Sequence, residues 1–175
     1  MSGNPEPRVD ATVFVAEGAR IYGDVVIGEG ASIWFNAVLR GDEGKISIGA
    51  NTNIQDNAIV HSDMMVNAEI GENVTIGHSS VIRGCRIGNS VMVGMNSTVM
   101  TNAEIGDCSI IGANTFVPYG RKFPSRSLVT ESPAKLVRKL RDEDIAAIAL
   151  ATDIYKDLAK QYAKGKIKGY RGSER

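Results

Sequence analysis

Aliphatic residues recur every six positions along most of this chain, with polar residues and glycine between them. The period breaks twice, slips by one residue before Ile87 and ends near Tyr119-Gly120. The recurring residues are Val15, Ile21, Ile27, Ile33, Leu39, Ile48, Ile54, Val60, Ile70, Ile76, Ile82, Ile87, Val93, Val99, Ile105, Ile111 and Val117. A period of six fits neither a helix of 3.6 residues per turn nor one alternating strand. It predicts an all-β solenoid of hexapeptide repeats, in which short strands turn a corner once per hexad and the aliphatic residues stack inward.

The hexad period also predicts two columns of outward side chains. With three hexads to a coil, every third aliphatic residue shares a face, and the residue after it points outward. Neighbours in a column are about 4.8 Å apart, the spacing between paired strands. One column contains Arg40, His61, Arg83 and Met100, and a second, on the preceding face, contains Phe35, Asp56, His78 and Met95. Both interruptions of the period, 40–47 and 61–69, leave from the face of the first column, beside the 2 histidines of the sequence. Insertions at one place on a solenoid are typical of a functional site.

A helical pattern follows the solenoid. A basic, Pro-containing connector leads to Asp142, a predicted N-cap, and apolar residues then recur at helical spacing until Gly165. We expect this apolar stripe to pack on the prism or on a neighbouring subunit. The pattern divides the chain into a β-helix domain, 1–123, and a region of connector, C-terminal α-helix and basic tail, 124–175.

The composition excludes several classes of function. Net charge is zero and aromatic residues make up 6% of the chain, so no feature favours nucleic-acid binding. Met1 to Arg8 is polar and no apolar run has the length of a signal or membrane segment, which predicts a cytoplasmic protein without membrane contact. The two cysteines, Cys85 and Cys108, fall on different faces and are expected to be reduced. No motif indicates a nucleotide cofactor.

Several short motifs around the candidate site occur in a specific order. They are Arg40-Gly41-Asp42-Glu43, Asn53-Ile54-Gln55-Asp56, His61, Ile76-Gly77-His78 and, further on, Ser132-Pro133-Ala134-Lys135. As a set they resemble the γ-class carbonic anhydrases and their bacterial relatives, over nearly the whole chain. The resemblance implies a left-handed parallel β-helix with a C-terminal α-helix. It also implies a homotrimer that holds zinc or another divalent metal at each subunit interface through three histidines, two from one chain and one from the next.

The third of these ligands is missing here. By resemblance, His61 is the first ligand and His78 is the ligand given to the neighbouring site. The family places another histidine five residues after His78, where this chain has Arg83. The outward column independently puts Arg83 one coil from His61. Two histidines fall short of the three ligands of a catalytic zinc, so either water or a carboxylate such as Asp63 or Glu69 completes the metal site, or the metal is lost.

The resemblance also implies roles for the other motif residues, and each of these residues has a simpler structural interpretation as well. Gln55 would orient the metal-bound hydroxide with Asp56 beside it supporting a ligand, or both would only cap a prism corner. Glu43 would handle protons or would be a solvated loop residue. Arg40 and Asp42 would tie subunits together around the site, and their ion pair would also pin the first loop.

Three functions follow from these observations. A metallated trimer would hydrate carbon dioxide reversibly to bicarbonate, with activity weak or absent because the third histidine is Arg83. A second hypothesis is a hexapeptide acyltransferase, in which an interfacial histidine is the general base for attack on an acyl-CoA. A third is a trimer without catalysis that serves in assembly or binds a small anion through Arg83 and Arg40. The trimer is expected from the columns as well, because His61 and His78 lie on different faces of one prism.

Overall fold

The computed structural model describes residues 5–169, and a parallel β-solenoid with one C-terminal helix accounts for most of them. Its strands are β1 Arg8–Val9, β2 Phe14–Val15, β3 Arg20–Ile27, β4 Ser32–Ile33, β5 Val38–Ile48, β6 Asn53–Ile54, β7 Ile59–His61, β8 Ala68–Ile70, β9 Thr75–Ile76, β10 Val81–Arg83, β11 Arg86–Ile87, β12 Met92–Val93, β13 Thr98–Val99, β14 Glu104–Ile105, β15 Ile110–Ile111, β16 Phe116–Val117, β17 Lys122–Phe123, β18 Ser127–Thr130 and β19 Lys135–Lys139. The helix α1 is Asp142–Ala163. The architecture confirms the predicted left-handed β-helix.

The solenoid has three faces. The helix face consists of β2, β4, β6, β9, β12, β15 and β18, and α1 lies across its first strands. The histidine face consists of β7, β10, β13, β16 and the first halves of β3 and β5. The charged face consists of β8, β11, β14, β17 and the second halves of β3 and β5. Because β3 and β5 each run around a corner, the histidine and charged faces form one continuous sheet.

The first interruption of the period, expected as a loop, belongs to strand β5. Residues 40–47 stay extended because β3 pairs with them on both sides of the corner. The corner requires glycine at Gly41, since a Cβ there would lie 2.6 Å from the carbonyl oxygen of Asp24. The second interruption remains a loop, in which the backbone N–H of Met65 donates to the carbonyl of Glu43 at 3.3 Å. The two insertions therefore meet, as the period predicts.

The core is the predicted stack of inward aliphatic residues. Leu39, Val60 and Ile82 pair in register on consecutive coils, and all three are fully buried. The parallel ladder continues beyond residue 123, because β18 pairs with β15 as far as Val129. The division of the chain at residue 123 stays a prediction, and residues 170–175 of the basic tail lie outside the described residues.

The C-terminal helix packs on the prism, one of the two expected positions. It buries Ile148, Thr152 and Ala159 against the helix face. Its N-cap is Arg141 and not the predicted Asp142. The reason is Asp144, whose carboxylate accepts the backbone N–H of Arg141 at 2.8 Å, and a hydrogen bond from Arg138 holds the pKa of that carboxyl well below its usual range.

Two further expectations concern thiols and membranes. Cys85 and Cys108 are both free thiols, and burial raises the pKa of Cys85 to about 12. In residues 5–169 no helix has the length and apolar character needed to cross a bilayer.

Candidate site on the histidine face

The outward column predicted from the hexads is present on the histidine face. His61 is the register partner of Arg40 on one neighbouring strand and of Arg83 on the other. His78 follows β9 at the edge of the helix face, one coil from Asp56. The structure thus places the two histidines on different faces, and it sets Arg83 directly beside His61.

His61 is enclosed by acidic side chains from β5. Its Nε2 lies 3.1 Å from Oδ1 of Asp42 and 3.9 Å from Oε2 of Glu43, and only 11% of its side chain is exposed. Asp42 also pairs with Arg40, and this hydrogen bond, more than the one to His61, lowers the pKa of Asp42. The ion pair expected to pin this segment is therefore present within one chain, while the roles of Arg40 and Asp42 between subunits stay predictions.

Arg83 is held by a carboxylate of its own chain. Its Nε and Nη2 donate to the two oxygens of Asp63 at 3.3 and 3.1 Å, and the hydroxyl of Thr101 donates to Asp63 at 2.6 Å. These hydrogen bonds, that of Thr101 first, lower the pKa of Asp63 to about 2, so the carboxylate is ionised at neutral pH. The backbone N–H of Met64 donates to it as well, at 2.9 Å. The position that the resemblance gives to the third metal ligand therefore holds an arginine that is ion-paired with Asp63.

These residues do not fit the metal centre that the resemblance implies. Asp63, one of the two carboxylates that could have completed the site, has both oxygens engaged by donors. Glu69, the other, lies on the charged face, in register with Arg86. A cation at position 83 beside His61 opposes a dication electrostatically and supplies no lone pair.

Gln55 and Asp56 lie at the corner between β6 and β7, next to the corner that follows β9 on the adjacent coil. Gln55 is 5% exposed, its Nε2 donates to Asn53 at 3.1 Å, and its Oε1 accepts the backbone N–H of His78 at 3.1 Å. Asp56 Oδ2 lies 2.7 Å from Nδ1 of His78. Both residues therefore stabilise the corner that carries His78, and their catalytic roles, like that of Glu43, stay predictions.

Sequence reasoning did not identify two side chains of the site. Thr101, on the coil that follows the coil of Arg83, donates its hydroxyl to Asp63. Tyr155 of α1 places its hydroxyl 3.2 Å from Nε2 of His78. The hexad count offered a signal for Thr101, because it comes directly after Met100, a member of the column that contains His61 and Arg83. No periodicity relates Tyr155 to His78, because the register between the helix and the prism is set by packing.

The comparisons with known proteins agree with the hexapeptide-repeat fold. A family model for bacterial transferase hexapeptides, six repeats long, matches residues 84–118. The carnitine operon protein CaiE of Escherichia coli is 41% identical over 152 residues, which are 87% of this chain and 78% of that protein. Mitochondrial γ carbonic anhydrase 2 of Arabidopsis thaliana is 41% identical over 170 residues, 94% of this chain. The chain belongs to the γ-carbonic-anhydrase-like hexapeptide-repeat family.

Solved structures extend the match. A hexapeptide transferase family protein from Anaplasma phagocytophilum is 42% identical, with a TM-score of 0.86 over 89% of this chain and 92% of that one. A putative acetyltransferase from Bacillus cereus is 33% identical, with a TM-score of 0.89 over 95% of this chain and 96% of that one. The chain spans only 61% of the plant γ carbonic anhydrase 2, so membership of the γ-carbonic-anhydrase-like family does not by itself assign that relative's activity.

Proposed function

We propose that the protein is a γ-carbonic-anhydrase-like homotrimer that holds no catalytic zinc and acts as a binding or assembly subunit. The observation that carries the proposal is Arg83, which stands in register beside His61 and is fixed there by Asp63. A neighbouring chain could add its His78, which gives two imidazoles and still no third ligand. Swinging Arg83 away would break its two hydrogen bonds and leave Asp63 without its cation.

Apolar side chains on two separate surfaces support the trimer. On the histidine face Val38, Ile59 and Val81 pair in register, and Ile59 is 41% exposed. On α1, Leu150 and Ile154 are 62% and 50% exposed and one turn apart, on the same helix that carries Tyr155, the residue that reaches His78. Two different apolar surfaces on one chain suit a head-to-tail contact that closes into a ring. Such a contact would bring the His78 corner of one copy to the His61 column of the next.

The charged face has the opposite character. Glu69, Arg86, Glu104 and Lys122 alternate in sign on consecutive strands, and Lys122 pairs with Glu104. Opposite charges directly across a ladder satisfy one another without a partner chain. We therefore assign this face to the outside of the trimer.

A second candidate function is the binding of a small oxyanion by Arg83 and Arg40. Two guanidinium groups that flank His61 in register favour it, since a guanidinium matches a carboxylate or bicarbonate. Each of them already faces a carboxylate of its own chain, Asp63 or Asp42. An oxyanion would therefore share these cations with protein carboxylates.

Parallel assays on the wild-type protein and on Arg83→Ala separate metal-free binding or assembly, acyl transfer and oxyanion binding. We expect carbon dioxide hydration at the buffer background, and no release of free CoA from acetyl-CoA with amine and hydroxyl acceptors. Hydration above background would contradict the proposal. Steady CoA release would favour acyl transfer, the activity in the description of the Bacillus cereus relative. Calorimetric binding of bicarbonate that Arg83→Ala abolishes would establish the oxyanion function, and equal binding by that variant would exclude it.

A further inference from the structure

Both ring nitrogens of His78 are engaged inside the chain. Nδ1 lies 2.7 Å from Oδ2 of Asp56, and Nε2 lies 3.2 Å from the hydroxyl of Tyr155. Asp56 precedes His78 by one coil, and Tyr155 comes from the C-terminal helix, 77 residues away in sequence. The imidazole therefore joins the corner of the solenoid to the helix.

For a neutral imidazole, the chemistry of the two partners fixes the direction of these hydrogen bonds. An ionised carboxylate only accepts, so the proton of the neutral ring resides on Nδ1 and is donated to Asp56. The lone pair of Nε2 then accepts the hydroxyl proton of Tyr155. Burial, and to a lesser extent Asp56, raises the pKa of Tyr155, which keeps the phenol a donor.

The position of Tyr155 is set by aromatic packing. Trp34, which is buried on the helix face, meets the ring of Tyr155 edge to face with centroids 5.1 Å apart. Tyr162, two turns along the helix, packs against the same Trp34 at 5.4 Å. These contacts hold the rings in place even without a hydrogen bond to the phenol. The packing of the helix therefore positions the hydroxyl of Tyr155 beside His78.

We propose that Tyr155 is a positioning residue that occupies Nε2 of His78, so that the C-terminal helix, and not a metal ion, holds this imidazole. The inference rests on the proposed function in one respect, the absence of a resident zinc from the site. It adds a second obstacle to metal binding beside Arg83. Any ligand for Nε2, a divalent cation included, has to displace the hydroxyl of Tyr155 first.

Nitrogen NMR of the chelator-treated protein tests the hydrogen bond without any metal. With 15N-labelled histidine the chain gives two imidazoles, and His61→Gln identifies the signals of His78. We expect the wild type to show His78 protonated on Nδ1, and Tyr155→Phe to shift Nε2 towards the value of a lone pair without a donor. Tyr162→Phe is the matched control, because it removes a hydroxyl from the same aromatic cluster, and it should leave Nε2 unchanged. An Nε2 signal that is the same in Tyr155→Phe and the wild type would overturn the proposal.

A zinc titration tests the competition. In an Arg83→His background, adding Tyr155→Phe should raise zinc affinity about 2- to 10-fold, the effect of removing one competing hydrogen bond. Adding Tyr162→Phe should have no effect, and an equal effect of both changes would attribute the gain to loosened packing and contradict the competition. If the wild-type protein proves to hold zinc tightly, the proposed function fails, and the NMR comparison still decides the role of Tyr155.

Discussion

Replacing Arg83 by histidine should raise the zinc affinity of the protein at least ~10-fold, since loss of even an indirect partner of a zinc ligand costs that much. The substitution removes a permanent cation from beside His61 and adds an imidazole at the same position. It also releases Asp63, which Thr101 still holds, to accept the ring N–H of the new imidazole. Carbon dioxide hydration should then rise above the wild-type level. Isothermal titration with zinc and a stopped-flow pH assay measure the two effects.

Arg86→His is the matched control for this substitution. Arg86 lies three residues further along the chain, on the charged face, where its register partners are Glu69 and Glu104. The control makes the same chemical change away from His61. Because its imidazole would lie between two carboxylates that can themselves bind zinc, the readout compared is carbon dioxide hydration, which the control should leave unchanged. If Arg83→His hydrates carbon dioxide no faster than Arg86→His, the assignment of Arg83 to the third-ligand position is wrong.

Ile59→Asp should convert the proposed trimer into monomers at micromolar concentration. Ile59 lies at the centre of the outward apolar row of the histidine face, between Val38 and Val81. A carboxylate there would be buried without a partner on assembly, and the associated state would lose several kcal/mol. The free chain should fold normally, because the side chain points away from the core. Light scattering after size exclusion measures the mass, and circular dichroism checks the fold.

The control for this prediction is Leu136→Asp. Leu136 is 51% exposed on β19, the strand that pairs with β18 at the end of the helix face. Its replacement by aspartate makes the same apolar-to-acidic change at a position away from the His61 column. The variant should remain a trimer. A wild-type protein that is monomeric, or a trimer that Ile59→Asp leaves intact, would exclude the histidine face as the interface.

The hexad period predicted the fold and the register, because the stacking of inward side chains is fixed by counting residues. Leu39, Val60 and Ile82 pair as counted, and the same count set Arg83 beside His61. Backbone geometry alone decides these relations. The count placed Arg83 beside His61, and the resemblance to the γ-class carbonic anhydrases supplied the three-histidine pattern from which Arg83 departs.

The partners of the site residues were not predictable in this way. Arg83 turns to Asp63 because the loop after His61 folds back, and a period carries no information about the shape of a loop. Tyr155 reaches His78 through the packing of α1 on Trp34, a contact between segments with different periods. Segment 40–47 was expected as a loop since its aliphatic spacing breaks there, yet pairing with β3 keeps it extended.

The zinc content of the wild-type protein tests the central claim most directly. The chain is expressed in zinc-supplemented medium, purified without chelators and analysed for metals against protein concentration. We predict less than about one tenth of a zinc ion per chain, because a catalytic zinc needs three protein ligands. At the position of the third ligand this chain has Arg83, which is ion-paired with Asp63. One tightly bound zinc per chain, retained through dialysis, would contradict the claim.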